Sequence, residues 1–296
     1  MIVNSYFSGA GLFDIGLLNA GININKSFEI DQACCRVQRK NFAHETIESD
    51  LKDKIVGTDN ECDVMLFTYP CTKYSNIADI HGTRTGDELF LHAFRHMAIG
   101  SPEVFVVENV MGMRAFPVVM EAMTKLPTYY ITTFCPINSN IWLPQNRQRL
   151  IIIGTKKPFN FREPAQGRTS KLSEILEENP RVTLPKAIKA RMTGKYRDLP
   201  IISDPSKGDI APTCVAHYAK DKSTRLVVDQ RYPMGVRPYS VREFARLQGV
   251  PDWFDFDCSD TDAYKMIGNG VSVPLGEWVG NEIRRYFGRK PQRVII

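Results

Sequence analysis

One thiol and one carboxyl stand out among the residues able to do chemistry, because each sits just past an apolar run. Cys71 lies in Tyr69-Pro70-Cys71-Thr72-Lys73-Tyr74-Ser75, directly after Val64 to Thr68. A thiol needs little activation to become a nucleophile, and nearby cations favour its thiolate. Glu108-Asn109-Val110 follows the apolar Val104 to Val107. A carboxyl held partly out of water there is able to keep a proton and act as an acid. In Gln145-Asn146-Arg147-Gln148-Arg149 two arginines alternate, so in an extended segment both guanidinium groups share one face and suit a phosphate or a polar base edge. Taken singly, each has a plainer reading: an inert buried thiol, a loop anchor and an ordinary charged surface strand.

A second group of residues describes a place for a nucleoside. Phe7-Ser8-Gly9-Ala10-Gly11 puts two glycines where a strand turns into a helix, so that backbone comes close to a ligand and helix amides point at it. Glu29 follows Gly9 by 20 residues, the position from which an acidic side chain accepts hydrogen bonds from ribose hydroxyls. Asp50-Leu51 offers a carboxylate for an adenine amino group beside an apolar side chain for the ring.

These residues need a scaffold that brings strand ends together, and the hydrophobic pattern supplies one. Ile2 to Phe7 reads as a strand, followed by helical spacing at Leu12, Ile15, Leu17 and Leu18. Ile24 to Ile30 reads as a strand, Gln32 to Asn41 as a helix, Val64 to Thr68 as a buried strand, Asp87 to Gly100 as a helix, and Val104 to Val107 and Leu150 to Ile153 as buried strands. Continuous apolar strands alternating with amphipathic helices predict an α/β fold with a doubly wound, mostly parallel sheet, whose ligands bind at the carboxyl ends of the strands. From Lys156 to Pro238 the alternation dissolves, apart from a short helical piece at Leu172 to Glu178, which marks a candidate second lobe. Helical spacing resumes at Val241, Phe244, Ala245 and Leu247, and a last helix near Leu275 to Phe287 follows what reads as a tight turn at Gly268-Asn269-Gly270.

Composition narrows the class. With 296 residues, 43% apolar and 24% charged, the chain has the make-up of a globular enzyme rather than a disordered or coiled-coil protein. Its longest apolar stretches fall far short of the roughly 20 residues of a membrane span, so no membrane is expected. The first 21 residues lack the charged start of a secretory signal, and seven scattered cysteines suit neither a disulfide framework nor a metal site. A cytoplasmic protein without a metal is expected. The net charge of +5 conceals an asymmetry: residues 145–249 carry 21 basic and 10 acidic side chains, whereas 1–144 carry 11 and 16. That block predicts a polyanion-facing lobe.

In order and spacing these motifs closely resemble the cytosine-C5 DNA methyltransferase family of bacterial or phage type, over nearly the whole chain. Phe7 to Gly16 (FSGAGLFDIG) matches the family's cofactor loop, Pro70-Cys71 its nucleophile loop, Glu108-Asn109-Val110 its ENV motif and Gln145 to Arg149 its Q-x-R-x-R motif. Arg237 to Phe254 and Tyr264 to Pro274 match its last two blocks. Two departures lie beside the thiol: Tyr69 where the family usually has proline, and Thr72 where it has glutamine. Gly270 stands where serine or alanine is more usual.

The resemblance implies S-adenosylmethionine as cofactor, bound by Phe7, Gly9, Gly11, Leu12, Glu29, Ile30, Asp50, Leu51, Pro70 and Asn269. It implies that Cys71 adds to carbon 6 of a flipped-out cytosine, that Glu108 binds ring nitrogen 3 and the exocyclic amine, that Arg149 holds the base oxygen and that Arg147 steadies the catalytic loop. Duplex DNA is the implied partner, with a cognate restriction endonuclease acting on the same site, a monomeric state and a nucleoid-associated location in a bacterial host. The implied division is a catalytic and cofactor lobe over 1–178, a target-recognition lobe over 179–261 and a returning segment over 262–296. Lys73, Ser75, Lys186, Lys189 and Arg191 are candidate DNA contacts, and Thr213, His217 and Arg225 candidate base readers. Two rivals are a related RNA cytosine methyltransferase and a non-catalytic nucleic-acid binder. The presence of thiol, acid and cofactor loop together opposes the second.

Overall fold

The computed structural model describes residues 1–56, 62–70, 88–167, 169–195, 197–198 and 200–288, so Cys71, Lys73 and Ser75 lie outside the described residues. The chain divides into two compact units, one of Met1–Asn138, Gln148–Pro164 and Val273–Ile296, the other of Ser139–Arg147 and Ala165–Ser272.

The first unit is built on a seven-stranded sheet of β1 (Val3–Tyr6), β2 (Lys26–Glu29), β3 (Glu45–Glu48), β4 (Val64–Phe67), β5 (Val104–Val110), β6 (Tyr130–Asn138) and β7 (Gln148–Thr155). Its spatial order is β3-β2-β1-β4-β5-β7-β6. The first five strands pair in parallel, and β7 lies antiparallel to both β5 and β6. This is the predicted doubly wound, mostly parallel sheet. The chain builds outward from β1 to β3, then returns to the other side of β1 with β4 and β5. A reversal of strand order of this kind is where doubly wound sheets bind their ligands, at the carboxyl ends of the strands.

All four residues of β4 and the first six of β5 are buried, as strands covered on both faces must be. On one face Tyr6 stacks between Phe28 and Phe67, with ring centroids 4.9 and 5.0 Å away. Helix α1 (Leu12–Asn19) packs along the final helix of the chain, Val273–Tyr286. Helix α2 (Gln32–Asn41) starts at Asp31, whose carboxylate accepts from the amides of Ala33 and Cys34, a side-chain cap that fixes where the helix begins. Helix α3 (Glu88–Gly100) precedes β5.

The second unit carries a three-stranded sheet of β8 (Ile201–Ser203), β9 (Arg225–Val228) and β10 (Val236–Pro238), together with the helices Val241–Arg246 and Asp260–Asn269. The sequence reads Gly268-Asn269-Gly270 as a tight turn; the structure corrects this. Ser259 caps the amide of Asp262, and Gly268 and Asn269 are the last residues of that helix. Gly268 serves close approach instead, because a Cβ there would stand 2.3 Å from backbone atoms of Val215 and Ala216. The Arg237 to Phe254 block forms a buried ionic frame. Arg237 meets Glu243 through both terminal nitrogens at 2.7 Å and Asp229 through Nε at 2.7 Å, and Glu243 also accepts from the amides of Ser240 and Glu177.

With Arg237 and Glu243 essentially without solvent exposure, removing Glu243 takes away the two-pronged partner of a buried guanidinium and leaves it with Asp229 alone. Glu243→Leu should therefore cost about 3–5 kcal/mol in denaturant unfolding, whereas adding Arg237→Met should recover most of the loss. A double variant no more stable than the single would show that the pair is not the stabilising unit.

Asp14, in the first turn of α1, is fully buried, and among the described residues neither carboxyl oxygen has a hydrogen-bond partner. Burial pushes its pKa up to about 7. The folded state then binds a proton that the unfolded chain has already released, so between about pH 4 and pH 7 stability should fall as pH rises. Asp14→Asn should flatten that slope and stabilise the fold above pH 7. Melting curves across pH 5–8 with parallel slopes for both proteins would contradict this.

Candidate functional site

The turn after β1 is held by bonds the sequence only partly announces. Phe7 takes a φ of 59°, unusual for a residue with a side chain, and its carbonyl accepts from the Thr68 hydroxyl at 2.9 Å. Gly9 also has positive φ, 57°, and a Cβ there would meet nothing within 4 Å. Its Cα thus borders open space in which a ligand can reach the backbone. Glu29, at the end of β2, accepts from the amides of Gly9 at 2.7 Å, Ile30 at 2.9 Å and Asp31 at 2.8 Å. Burial raises its carboxyl above the ordinary value, and those amides offset part of the rise. Ile30 beside it is exposed, an apolar surface next to a carboxylate.

The other cofactor candidates divide by burial. Leu12 is buried in α1, and Leu51 belongs to the core cluster under the sheet with Tyr6, Phe28 and Phe67. Asp50, past the end of β3, accepts from the amide of Lys52 at 2.9 Å and so builds the turn that follows. Pro70 is exposed at the last described position before Cys71.

The chain that leads to the thiol is tied to the strand that carries the acid. Strands β4 and β5 are direct neighbours, with Phe67 opposite Val107, and Asn109 donates through Nδ2 to the carbonyl of Tyr69 at 3.2 Å. Tyr69 itself is buried: its ring meets Phe7 edge-on at 6.1 Å, and its hydroxyl lies 3.2 Å from the Met113 sulfur. The departure from the family's proline is thus a packed aromatic that joins the glycine loop to the strand-end loop. Glu108 meets Arg149 at 2.9 Å, both groups largely buried. The sequence suggested a partly desolvated carboxyl; the structure adds a cation beside it.

In the second unit Arg147 is almost wholly buried and donates to the carbonyls of Cys214 at 2.9 Å, Gly268 at 3.1 Å and Gly270 at 2.7 Å. Arg147 and Arg149 thus serve different partners, although two residues apart. Asn269 is exposed at the end of its helix. Lys186 and Lys189 are exposed, while Arg191 is paired with Asp221. The structure brings Thr213 and Arg225 together, Arg225 Nε donating to the Thr213 carbonyl at 3.2 Å. His217 is exposed, and partial burial with the charges of Arg225 and Lys220 pushes its pKa below the ordinary value. Sequence reasoning missed Thr68, Gln38 and the Asn109 tie. Only an inward-facing glutamine on an amphipathic helix could have flagged Gln38.

A family model described as C-5 cytosine-specific DNA methylase matches residues 1–285. The chain is 26% identical to the Type II methyltransferase M.HpaII of Haemophilus parainfluenzae over 95% of its own length and 88% of that protein's. With the Type II methyltransferase M.NgoBI of Neisseria gonorrhoeae it shares 28% identity over 92% of this chain and 89% of that one. Among solved structures the fold is similar to the Entamoeba histolytica methyltransferase EhMeth, with a TM-score of 0.81, 19% identity and coverage of 97% and 98% of the two chains. It is also similar to the S. pombe Dnmt2 methyltransferase, with a TM-score of 0.79, 15% identity and coverage of 97% and 99%. A match that runs through nearly every strand and helix described above, in relatives of nearly the same length, decides the matter: the chain belongs to the C-5 cytosine-specific DNA methylases, whose reaction is S-adenosylmethionine-dependent methylation of cytosine.

Proposed function

We propose that this chain methylates carbon 5 of cytosine within a specific duplex DNA sequence, through a covalent bond between Cys71 and carbon 6 of a base flipped out of the helix. The observation that carries the reading is the Asn109 to Tyr69 bond, which ties the segment running into Cys71 to the strand that bears Glu108. S-adenosylmethionine supplies the methyl group. The first-unit residues suited to hold it are Phe7, Gly9, Gly11, Glu29, Ile30, Asp50 and Pro70, with Leu12 and Leu51 buried behind them. The open space at Gly9 and the Glu29 carboxylate beside an exposed Ile30 fit an apolar ring joined to a hydroxylated sugar.

Carbon 5 of cytosine is a poor nucleophile, so the ring must first be made electron-rich. The Cys71 thiolate adds to carbon 6 while Glu108 binds ring nitrogen 3 and the exocyclic amine, relieving charge as it develops. Arg149, already paired with Glu108, orients that carboxyl and holds the base oxygen. Methyl transfer to carbon 5 is followed by loss of the carbon 5 proton to water, and the electron pair released expels the thiolate from carbon 6. Arg147 acts through the carbonyls it ties, and Lys73 and Ser75 contact DNA beside the thiol. Unhooking a base from the stack costs a few kcal/mol. We assign target recognition to residues 179–261, with Lys186, Lys189 and Arg191 toward phosphates and Thr213, His217 and Arg225 toward bases. The proposed setting is the cytoplasm, the protein acting as a monomer and sharing its site with a cognate restriction endonuclease.

Duplex DNA with 5-fluorocytosine at the target should trap the protein covalently in the presence of cofactor, because fluorine does not leave as a proton does. Cys71→Ser should abolish trapping, since a hydroxyl offers almost no anion near neutral pH. Glu108→Gln should slow trapping strongly while duplex affinity stays nearly parental. Parental methylation by Cys71→Ser, or trapping on RNA but not DNA, would sink the mechanism or the substrate.

Affinity for duplex should fall steeply with salt, because cations on the protein displace counterions condensed on DNA. Replacing Lys186 and Lys189 with alanine should weaken specific and non-specific duplexes alike and lower the log–log salt slope by about 1–2. Loss confined to one sequence would mean that these lysines read bases.

A further inference from the structure

Beneath the glycine loop lies a buried polar chain that none of the assigned site residues accounts for. Gln38, on α2, has no solvent exposure. Its side-chain nitrogen lies 2.6 Å from the Gly9 carbonyl and 2.8 Å from the Ser8 hydroxyl, and its side-chain oxygen lies 2.6 Å from the Ser27 hydroxyl. His44 Nε2 stands 3.2 Å from Ser27 Oγ and 3.5 Å from Gln38 Oε1, and Thr46 Oγ1 is 3.3 Å from Ser27 Oγ.

Counting hydrogens fixes the orientation of the Gln38 amide. A backbone carbonyl only accepts, so the amide nitrogen of Gln38 must be the end that faces Gly9. Its two hydrogens then serve Gly9 and Ser8, and its oxygen is left to accept from Ser27. Ser27 has one hydrogen and its nearest acceptor is the Gln38 oxygen at 2.6 Å, with Thr46 Oγ1 and His44 Nε2 completing its polar surroundings. Burial lowers the His44 pKa to about 4, which keeps the ring neutral at ordinary pH and leaves it with one N–H to give. Turning the amide over would set two acceptors against each other at Gly9, so the carbonyl there selects the orientation of the side chain.

The consequence falls on one residue. The amide of Gly9 is held by Glu29 at 2.7 Å and its carbonyl by Gln38 at 2.6 Å, while its Cα borders open space. Both polar groups of a residue with positive φ, the conformation easiest to lose in a loop, are therefore fixed from opposite sides before any ligand arrives. We propose that Gln38 is a positioning residue for cofactor binding, which fixes the Gly9 carbonyl and the Ser8 hydroxyl so that the loop is already in its binding conformation. The proposal rests on the reading of this loop as the S-adenosylmethionine site. Gln38 touches no reacting atom. What it contributes is lower conformational freedom in the unliganded loop, and so a smaller ordering cost on binding.

The test is cofactor affinity, measured by calorimetry with S-adenosylmethionine and with its demethylated product, beside steady-state kinetics on duplex DNA. Gln38→Met keeps the length and removes the donors. It should weaken cofactor binding and raise the cofactor KM about tenfold, as expected for a buried hydrogen-bonded group, while kcat and the DNA KM stay within about twofold. Gln38→Glu, which keeps the shape but sets a carboxylate oxygen against the Gly9 carbonyl, should weaken cofactor binding as well, and it decides the matter if Gln38→Met does not fold. A purely structural role would lower the melting temperature and the active fraction but leave the cofactor affinity of the folded protein at the parental value, and that result would overturn the proposal. Glu29→Ala separates the two levels. If it too leaves affinity unchanged, the cofactor site has been misplaced; if it abolishes binding while both Gln38 variants bind as the parent does, only the role of Gln38 is wrong.

Discussion

Burying β4 and β5 on both faces is the constraint from which the rest of the first unit follows. Strands whose side chains are all enclosed leave no room for chemistry along their length, and their backbone groups are consumed by neighbouring strands. Polar function is thereby driven to the strand ends. The reversal of strand order around β1 decides which ends gather, and Phe7 to Gly11, Tyr69-Pro70 and Glu108 leave the sheet on that side. The apolar strands are in this sense the cause of the arrangement, because they leave the strand ends as the places where the Glu29 carboxylate and the glycine turn are able to meet.

Within that geometry the site is organised by backbone capture more than by contacts between functional side chains. Thr68 holds the carbonyl of Phe7, Glu29 the amide of Gly9, and Asn109 the carbonyl of Tyr69. Each bond fixes a loop at the residue where it leaves a strand. The side chains nearest the chemistry are thus aimed by peptide groups rather than by one another, apart from the Glu108 to Arg149 pair. Tyr69 adds an apolar link between two of these loops through Phe7.

Much of this is legible in the sequence, and the failures have physical causes. Strands β4, β5 and the core of β7 declare themselves as apolar runs because they are central and enclosed, whereas β1 (VNSY) and β2 (KSFE) are legible only together with the apolar residues that flank them. Strands β3 and β6 stand at the two edges of the sheet. Glu45–Glu48 has one fully buried residue, and Tyr130–Asn138 contains Pro136 and several exposed positions, so neither shows the pattern of an enclosed strand. The helix Asp260–Asn269 was missed because its terminal glycine looks like a turn residue when close packing is not known. The glycine turn after β1 and the placement of Glu29 at the end of β2 were legible because their residue types are unusual at strand ends. The Arg149 partner of Glu108 was not, because antiparallel pairing of β5 with β7 joins residues some forty positions apart, which no local period encodes.

The second unit is assembled from two separate stretches, since the chain passes between the units four times. The shorter stretch, Ser139–Arg147, is no passive connector. Gln145 is fully buried, donating to the Leu247 carbonyl and accepting from the Cys214 amide, Arg147 ties three carbonyls, and Ser139 bonds Ser272. A lobe cut out as the single stretch from Ala165 to Ser272 would lose the strap on which its interior bonds close. Exchange of this unit between relatives, by recombination or by design, therefore works as a transplant only if the nine-residue strap and its buried glutamine and arginine find matching carbonyls in the incoming unit. The unit's surface is free to drift, whereas the register between Gln145, Arg147 and the helix end at Gly268 must travel as one inherited piece.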